Sequence, residues 1–457
     1  MRGSGLMSRK PDKGKNAAKP EEAGGLVPRL RFPEFREAGE WESAPMEEMY
    51  AFKATNSLSR DKLNYEGGFV KNVHYGDIHT RFPALFNVRE EYVPYVNVSE
   101  PIDNLSPDSY CVEGDMIIAD ASEDLEDIGK SIEIVRLHNE RVLSGMHTIL
   151  ARQRECRLVV GFGGHLFRSN SIWEQIKKEA QGTKVLGISV RRISKINIFY
   201  PQNRDEQQKI ADCLTSLDDR IRLETERLNA LKDHKKGLMQ QMFPAEGETV
   251  PRLRFAEFRE AGEWSKTEIG QIADVYRGKG IAKSDIAHGG KQLCIRYGEL
   301  YTIYGEVIHD VLSATNVPTQ ELFLSKANDV IIPASGETKE DIATASCVMR
   351  DGIALGGDLN VIRSPLNGVF LSYYMNGALS NNIARVAQGD SVVHLYPSQL
   401  KLLEISFPLR HEQQKIADCL SSLDDRIRLE TKRLNALKDH KKGLMQQLFP
   451  ALHDMAI

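Results

Sequence analysis

A forty-residue stretch occurs twice in this chain. Residues 206–245 return as residues 412–451 with three differences: Thr215/Ser421, Glu226/Lys432 and Met242/Leu448. An internal repeat constrains the architecture more than any local pattern, because it implies two equivalent structural units. The chain is therefore predicted to have an internal pseudo-twofold organisation.

Each copy has the apolar spacing of a coiled-coil helix. Apolar residues recur at alternating intervals of four and three, as at heptad positions a and d. Twelve of them are predicted to pair the two helices: Ile210, Leu214, Leu217, Ile221, Leu228, Leu231, Ile416, Leu420, Leu423, Ile427, Leu434 and Leu437. Pro244 and Pro450 end the helices. A helix of this length spans roughly 55 Å at about 1.5 Å per residue.

Four polar residues interrupt the apolar seam, namely Glu224, Lys235, Glu430 and Lys441. Polar seam residues lower stability but fix register and partner. We expect an antiparallel intramolecular pair that forms a rigid rod holding two domains apart. The alternative is that each helix packs on its own domain.

A second repeat defines the order of the chain. Residues 27–41 return as residues 250–264 with one change, Pro33 to Ala256. Residues 1–25 have almost no apolar content, which is typical of a disordered tail. The predicted division is a tail (1–26), a first domain (27–199), a long helix (200–245), a second domain (246–407), a long helix (408–451) and a short tail (452–457).

The two domains are diverged copies of one fold. Residues 114–128 and 328–342 match at seven of fifteen positions, and a Tyr-Gly step precedes both. Strands are predicted at Met116–Ala119, Leu158–Val160, Val330–Pro333, Ile196–Phe199 and Glu404–Phe407, and helices at Ser171–Ala180 and Phe370–Ala387. This mixture predicts an α+β fold.

Bulk composition excludes several classes of protein. The 457 residues carry 60 Lys and Arg against 64 Asp and Glu, so the net charge is -4. This net charge does not indicate a polyanion partner. The six cysteines form no CxxC pair, which fits a reduced cytoplasmic protein without a disulfide or zinc framework. No apolar run is long enough to span a membrane.

No catalytic motif stands out. Residues 160–164 (Val-Gly-Phe-Gly-Gly) are glycine-rich but lack the GxGxxG pattern, so a turn is favoured over a nucleotide site. The matched acids Asp115, Glu123, Asp329 and Glu337 are interpreted as structural. We therefore expect no active site and no metal site on this chain.

Nucleic-acid features are stronger. Residues 141–195 contain eleven Lys or Arg against three Asp or Glu, and such a basic region can contact phosphates. Arg and Tyr also alternate after residue 295, and Arg can read guanine edges. The predicted DNA contacts are His74, Tyr75, His79, Arg81, Arg152, Arg154, Arg168, Lys184, Arg277, Lys279, Lys283, Arg296, Tyr297, Tyr301, Lys339 and His394.

The layout resembles the specificity subunit of type I restriction-modification systems. The resemblance covers nearly the whole chain after the tail. Its marks are the Glu-Gln-Gln-Lys-Ile-Ala helix starts at 206–211 and 412–417, and the shared helix ends that begin Lys-Lys-Gly-Leu-Met-Gln-Gln at 235 and 441. Pro201 precedes the first start by one residue more than Pro408 precedes the second.

The resemblance implies a function without catalysis on this chain. Two target-recognition domains would each read half of an asymmetric double-stranded DNA site. The helix pair would set the spacer and dock two methyltransferase subunits, with restriction subunits in the full complex. S-adenosylmethionine, ATP and Mg²⁺ would lie on those partner subunits. The competing hypotheses are a protein-binding scaffold that dimerises through its helices and an enzyme with an unrecognised active site.

Overall fold

A computed structural model describes residues 26–102, 104–338, 341–389 and 392–451. Almost all of the first predicted tail, all of the second and the predicted contact Lys339 lie outside these residues. The described chain divides into two compact units. The first contains the residues up to Arg222 and those from Asn435, and the second contains Leu223–Leu434. The division falls inside the long helices, because each unit uses part of both helices.

The first unit begins with a short segment that leads into its strands. These are β1 (Glu42–Pro45), β2 (Tyr50–Lys53), β3 (Leu63–Asn64), β4 (Val70–Val73), β5 (Leu85–Asn87), β6 (Tyr95–Val96), β7 (Met116–Ala119), β8 (Ala121–Ser122), β9 (Ser131–Arg136), β10 (Arg141–Ser144), β11 (Thr148–Gln153), β12 (Leu186–Gly187) and β13 (Asn197–Tyr200). The helices are α1 (Met46–Met49), α2 (Tyr75–Thr80), α3 (Phe162–Phe167), α4 (Asn170–Glu179), α5 (Val190–Ile193) and the start of α6 (Arg204–Met242).

The second unit has a similar but not identical series of elements. Its strands are β14 (Ser265–Glu268), β15 (Asp274–Arg277), β16 (Gln292–Ile295), β17 (Val307–Ile308), β18 (Ser313–Thr315), β19 (Phe323–Leu324), β20 (Asp329–Pro333), β21 (Ser335–Gly336), β22 (Ser346–Val348), β23 (Ala354–Leu355), β24 (Leu359–Arg363), β25 (Val393–His394) and β26 (Glu404–Phe407). Its helices are α7 (Ile269–Ile272), α8 (Tyr297–Thr302), α9 (Gly368–Asn376), α10 (Ser380–Val386), α11 (Pro397–Lys401) and most of α12 (Arg410–Leu448).

The five-stranded sheets of the two units have the same topology, and the smaller sheets share three of their four strands. The fourth strand differs, because β3 pairs with β6 in the first unit, whereas β19 pairs with β23 in the second. A five-stranded sheet runs β2-β11-β7-β9-β5 in the first unit and β15-β24-β20-β22-β17 in the second. A smaller sheet contains β10-β4-β6 in the first and β23-β16-β18 in the second, with β4 parallel to β10 and β16 parallel to β23. The predicted α+β fold with an internal repeat is confirmed.

The central strands follow from their composition. Every residue of β7 is buried, and so is every residue of β20, because both faces of the five-stranded sheet are covered. In the first unit these faces carry Phe162 and Ile172 on one side and Ile78 and Phe86 on the other. Uniformly apolar runs such as Met-Ile-Ile-Ala are typical of such doubly covered strands.

Two predicted elements differ from the structure. Leu158–Val160 is not a strand. Its backbone N–H groups instead bond to side chains: Leu158 donates to Gln153 Oε1 at 2.9 Å and Val159 to Gln207 Oε1 at 2.8 Å. The predicted helix Phe370–Ala387 is two helices, α9 and α10, which separate at Gly377.

The long helices pair antiparallel within each unit. In the first unit, Asp218 of α6 binds Lys441 of α12, and Leu214 shares a core with Leu448. In the second unit, Arg227 lies 3.2 Å from Glu430 and Lys235 lies 2.6 Å from Asp424. The pairing runs in opposite directions along the two helices in both units, as predicted.

The predicted seam faces inward along both helices. Each of its twelve apolar residues is buried or half-buried. Ile210 and Leu214 also belong to the core around Trp41 and Phe162. The first turns of α6 therefore pack on their own unit and also on the end of α12, which combines the predicted pairing with the packing of the alternative.

Candidate nucleic-acid interface

The start of α2 gathers aromatic and imidazole side chains in the first unit. His74 caps the helix, and its Nδ1 accepts a hydrogen bond from the Gly76 N–H at 3.2 Å. Burial lowers the pKa of His74 below its ordinary value, which favours the neutral acceptor form. The Tyr75 ring contacts the rings of His79 and His147 at 5.8 and 5.2 Å. These side chains can hydrogen-bond to a partner or stack on it.

Cations lie beside this cluster on an aromatic stack. Tyr65 and Tyr92 stack at 4.4 Å, and the Arg81 guanidinium lies 5.7 and 5.4 Å from their centroids. The buried Asp77 carboxylate pairs with Arg60 at 2.7 Å and Arg81 at 3.5 Å. Both arginines stay close to half exposed, so they are oriented by internal contacts and still accessible to a phosphate.

Arg152 has a different environment from Arg81. Its guanidinium makes two hydrogen bonds to the buried Asp115, at 2.9 and 2.8 Å. Arg363 binds Asp329 in the same way in the second unit, at 2.8 and 2.6 Å. Asp115 and Asp329, two of the matched acids, are therefore structural residues, and Arg152 is held within the unit by its partner.

Two further predicted arginines bind backbone carbonyls. Arg168 Nε donates to Ser131 O at 2.9 Å, and its Nη2 donates to Phe82 O at 3.1 Å. Burial lowers the pKa of Arg168 to about 10. Arg154 is exposed but donates to the carbonyls of the α1 region. Arg168 therefore supports the fold, whereas Lys184 is exposed between α4 and β12.

The start of α8 brings four predicted residues together in the second unit. Arg296 precedes the helix, and its N–H donates to Glu299 Oε2 at 2.7 Å. The rings of Tyr297 and Tyr301 meet edge to face at 6.2 Å. Tyr301 Oη donates to the carbonyl of Ser335, which pairs with His394 across β21 and β25.

The first unit has the matching arrangement. His79 Nε2 lies 2.9 Å from the carbonyl oxygen of Ala121, which pairs with Gly187 across β8 and β12. His79 thus occupies the place of Tyr301, and Gly187 that of His394. The frame is common to both units, but the side chains on it differ.

The basic segment after β15 is held by backbone contacts. Lys279 N–H donates to Leu355 O at 2.9 Å, and a Cβ on Gly278 would lie 2.0 Å from Gly356 O. The glycine therefore permits close packing of this segment. Lys279 and Lys283 are exposed. Arg277 is exposed as well, but it binds Gly357 O at 2.9 Å and Asp358 at 3.5 Å.

The backbone of the glycine-rich residues 160–164 binds a carboxyl group of the protein itself. The N–H groups of Gly161 and Gly164 donate to Glu133 Oε2 at 3.0 and 2.7 Å. Burial raises the pKa of Glu133 to about 8. A carboxyl of the chain itself takes the donors that a nucleotide phosphate would need. Residues 160 and 161 form the predicted turn, whereas residues 162–164 begin α3.

The motifs that start the long helices also make structural contacts. Gln207 Nε2 donates to Pro201 O at 2.8 Å, and its Oε1 accepts the N–H of Val159. Gln413 makes the same two contacts: its Nε2 donates to Pro408 O at 2.8 Å, and its Oε1 accepts the N–H of Asn367 at 2.9 Å. The repeated Glu-Gln-Gln thus joins each helix to its own unit.

A protein-family model described as the type I restriction modification DNA specificity domain matches residues 144–233 and 261–439. The chain belongs to this family. It is a specificity subunit of a type I restriction-modification system. This subunit recognises the DNA sequence and is the non-catalytic component of the system. The resemblance noted in the sequence is confirmed.

Two specificity subunits from Methanocaldococcus jannaschii are similar to this chain. One, described as putative and called MjaX, is 23% identical over 343 residues, covering 73% of this chain and 77% of its own. The MjaVIII specificity subunit is 23% identical over 305 residues, covering 62% and 68%.

Solved structures show the same fold. A type I restriction-modification S subunit from M. genitalium has a TM-score of 0.58 at 14% identity, covering 93% of this chain and 100% of its own. A chain from a study of assembly and conformational transition of the type I R-M system has a TM-score of 0.52 at 15% identity, covering 90% and 97%.

Two kinds of feature are absent from the residues that the structure describes. Within them, no helix combines the length and apolar content that a transmembrane span needs. The same residues contain no group of three or more His, Cys, Asp or Glu side chains placed to hold a metal ion.

Proposed function

We propose that this specificity subunit reads a two-part DNA sequence, one part with each unit. The proposal rests on equivalent positions that have the same strand and helix contacts in both units but carry different side chains. Tyr301 and His394 stand where the first unit has His79 and Gly187. Two readers of one fold with unlike surfaces bind unlike half-sites, so the whole site is asymmetric.

The DNA contacts divide by chemistry. Exposed cations outside the core, namely Arg81, Lys184, Lys279 and Lys283, are suited to phosphate contacts that position the subunit. Side chains near the starts of α2 and α8, among them Tyr75 and Tyr297, are suited to base edges. The interface thus combines sequence-independent attraction with direct reading of bases.

The long helices are proposed to dock the partner subunits. A cavity of about 330 Å³ in the first unit includes Lys438, Lys442 and Gln446 in its lining. A cavity of about 600 Å³ in the second unit includes their repeat equivalents Lys232, Lys236 and Gln240. Identical residues at two places fit two copies of one partner, so we propose two methyltransferase subunits.

The repeat equivalents Leu223 and Leu429 support the docking proposal. Their side chains are 58% and 65% exposed on the long helices. An exposed leucine at the same position of both copies adds apolar area for a partner. Helix length is proposed to set the distance between the half-sites, since 39 residues span about 58 Å.

The chemistry is proposed to lie on the partners. S-adenosylmethionine would be bound by the methyltransferase subunits, and ATP and Mg²⁺ by restriction subunits in the full complex. This chain would supply DNA recognition and the surface on which the partners assemble.

The test is to co-express the chain with its methyltransferase subunit and map methylated bases genome-wide by single-molecule sequencing. Cells with the methyltransferase subunit alone are the control. Two unlike short sequences separated by a fixed spacer are expected. A continuous palindrome, or no motif despite a stable complex, would contradict the proposal, and the second result would favour a protein-binding scaffold.

A further inference from the structure

Two equivalent turns have glycine pairs and different outer residues. Residues 66–69 (Glu-Gly-Gly-Phe) lead into β4, and residues 288–291 (His-Gly-Gly-Lys) lead into β16. They are 222 positions apart, as are Tyr75 and Tyr297. Neither Phe69 nor Lys291 was among the predicted contacts, although this shared offset is a signal that relates them.

The neighbouring strand fixes the shape of each turn. A Cβ on Gly68 would lie 2.7 Å from Tyr95 Cβ, and a Cβ on Gly290 would lie 2.7 Å from the Thr315 nitrogen. Gly289 has a φ of +73°, which side-chain-bearing residues rarely adopt. The glycines therefore keep each turn against its sheet whatever residue follows them.

The side chain that follows each glycine pair does not contribute to the core. Phe69 is 85% exposed, although burial of a phenylalanine stabilises a protein by about 1.5–3 kcal/mol. Lys291 is also exposed at the equivalent place. One apolar and one cationic side chain at the same point of a common frame match the divergence seen between the two units.

Both turns adjoin cations assigned above to phosphate contacts. In the first unit, Tyr65 immediately precedes the turn, and its Oη accepts a hydrogen bond from Arg81 at 3.0 Å. In the second unit, Thr315 packs against Gly290 and donates to the carbonyl of Asp285, in the short helix that begins at Lys283. A duplex contacted by these cations would lie beside the turns.

We propose that the two turns read bases, with Phe69 and Lys291 as the discriminating side chains. A phenylalanine ring makes apolar contact with a thymine methyl group, whereas a lysine donates to guanine O6 and N7 in the major groove. This inference rests on the proposed two-part reading of DNA. It adds the residues that make the two half-sites differ.

The experiment uses the full chain in complex with its methyltransferase subunit. Initial methylation rates are measured on duplexes that carry each base-pair change in both half-sites. Phe69→Ala and Lys291→Ala should each lose about 5- to 100-fold discrimination at one base pair, and only in the half-site of their own unit. Phe69→Lys should shift the preference at that pair from A·T towards G·C.

Val98→Ala is the matched control. Val98 is 81% exposed and follows β6, at the opposite end of the β3–β6 pair from the turn. It should leave discrimination unchanged. Co-purification of the methyltransferase subunit with each variant shows that the variants fold and assemble.

The outcomes separate the inference from the proposed function. If the wild-type complex methylates no two-part site, both are overturned. If the wild-type site is two-part and all turn variants keep its discrimination, the base-reading inference alone is wrong. An equal loss of rate on every duplex would make the turns phosphate contacts and would also overturn it.

Discussion

Arg31 and Glu206 form a buried ion pair with two hydrogen bonds of 2.7 Å each. Arg254 and Glu412 form the same pair with the same distances. Each arginine comes from the repeated segment at the start of a domain, and each glutamate starts a long helix. The two repeats of the sequence thus meet at one contact, made twice.

Breaking either pair should destabilise its unit. Glu206 and Glu412 are fully buried or nearly so, so Arg31→Ala or Arg254→Ala leaves a carboxylate without its partner. Breaking a buried pair costs about 3–5 kcal/mol. Scanning calorimetry should show a lower melting temperature for each variant. The exposed Arg36→Ala is the control, and an equally small effect of all three would refute the role of the pair.

Lys235 should make stability depend on pH. Its ammonium lies 2.6 Å from Asp424 and 2.7 Å from Glu306. Burial raises the pKa of Asp424, the charge of Glu306 raises it further, and Lys235 lowers it. Lys235→Ala therefore raises this pKa again and leaves two facing carboxylates, at a cost of about 1–3 kcal/mol near neutral pH.

The sign of the pH effect follows from proton binding. A carboxyl whose pKa is higher in the folded state than in the unfolded chain loses stability as pH rises. The difference in melting temperature between the wild type and Lys235→Ala should grow from pH 4.5 to pH 7.5. Lys441→Ala is the control, because Asp218 lies near His165 where Asp424 has Glu306. A difference in melting temperature that does not change with pH would contradict the prediction.

The exposed lysines after β15 should set the salt dependence of DNA binding. Lys279→Ala or Lys283→Ala should weaken binding of the methyltransferase complex similarly on specific and unrelated duplexes. Each should reduce the slope of log affinity against log salt by about 1. Fluorescence anisotropy over a salt series measures this. Lys266→Ala, on β14 and paired with Glu404, should keep the wild-type slope; an unchanged slope in the test variants would exclude phosphate contacts.

Longer helices should lengthen the spacer. Seven residues inserted after Thr225 and seven after Thr431 keep the heptad spacing in both helices. They add about 10 Å, or about three base pairs at ~3.4 Å each. Methylome mapping should find the same half-sites farther apart. Seven residues inserted after Gly247, outside the helix, should not change the spacer, and an unchanged spacer in the first variant would refute the idea.

The helices and the repeat could be predicted because their signals are local. The spacing of Leu214, Leu228 and their equivalents lies within one segment, and so do the prolines that end each helix. The match of 114–128 to 328–342 placed β7 and β20 correctly. Leu158–Val160 was predicted wrongly because its hydrogen-bond partners are side chains, one of them on α6.

The candidate interface was harder to predict. Arg152 counted as a cation in a basic region, but its partner Asp115 lies 37 positions earlier. A charge count does not record such long-range pairs. The meeting of Tyr301 with the Ser335–His394 strand pair likewise depends on tertiary structure. Phe69 carries no charge and belongs to no catalytic motif, so only its repeat equivalent Lys291 relates it to recognition.

The core of the first unit includes Leu448, the last residue of α12, and Phe449, which follows it. Phe449 packs on Trp41 and Phe162. During synthesis on the ribosome, Trp41 and Phe162 emerge early, and these partners emerge more than 280 residues after Phe162. The second unit is continuous in sequence, from Leu223 to Leu434. The unit encoded second therefore has all its residues first, and the unit encoded first must wait for the last turns of the last helix.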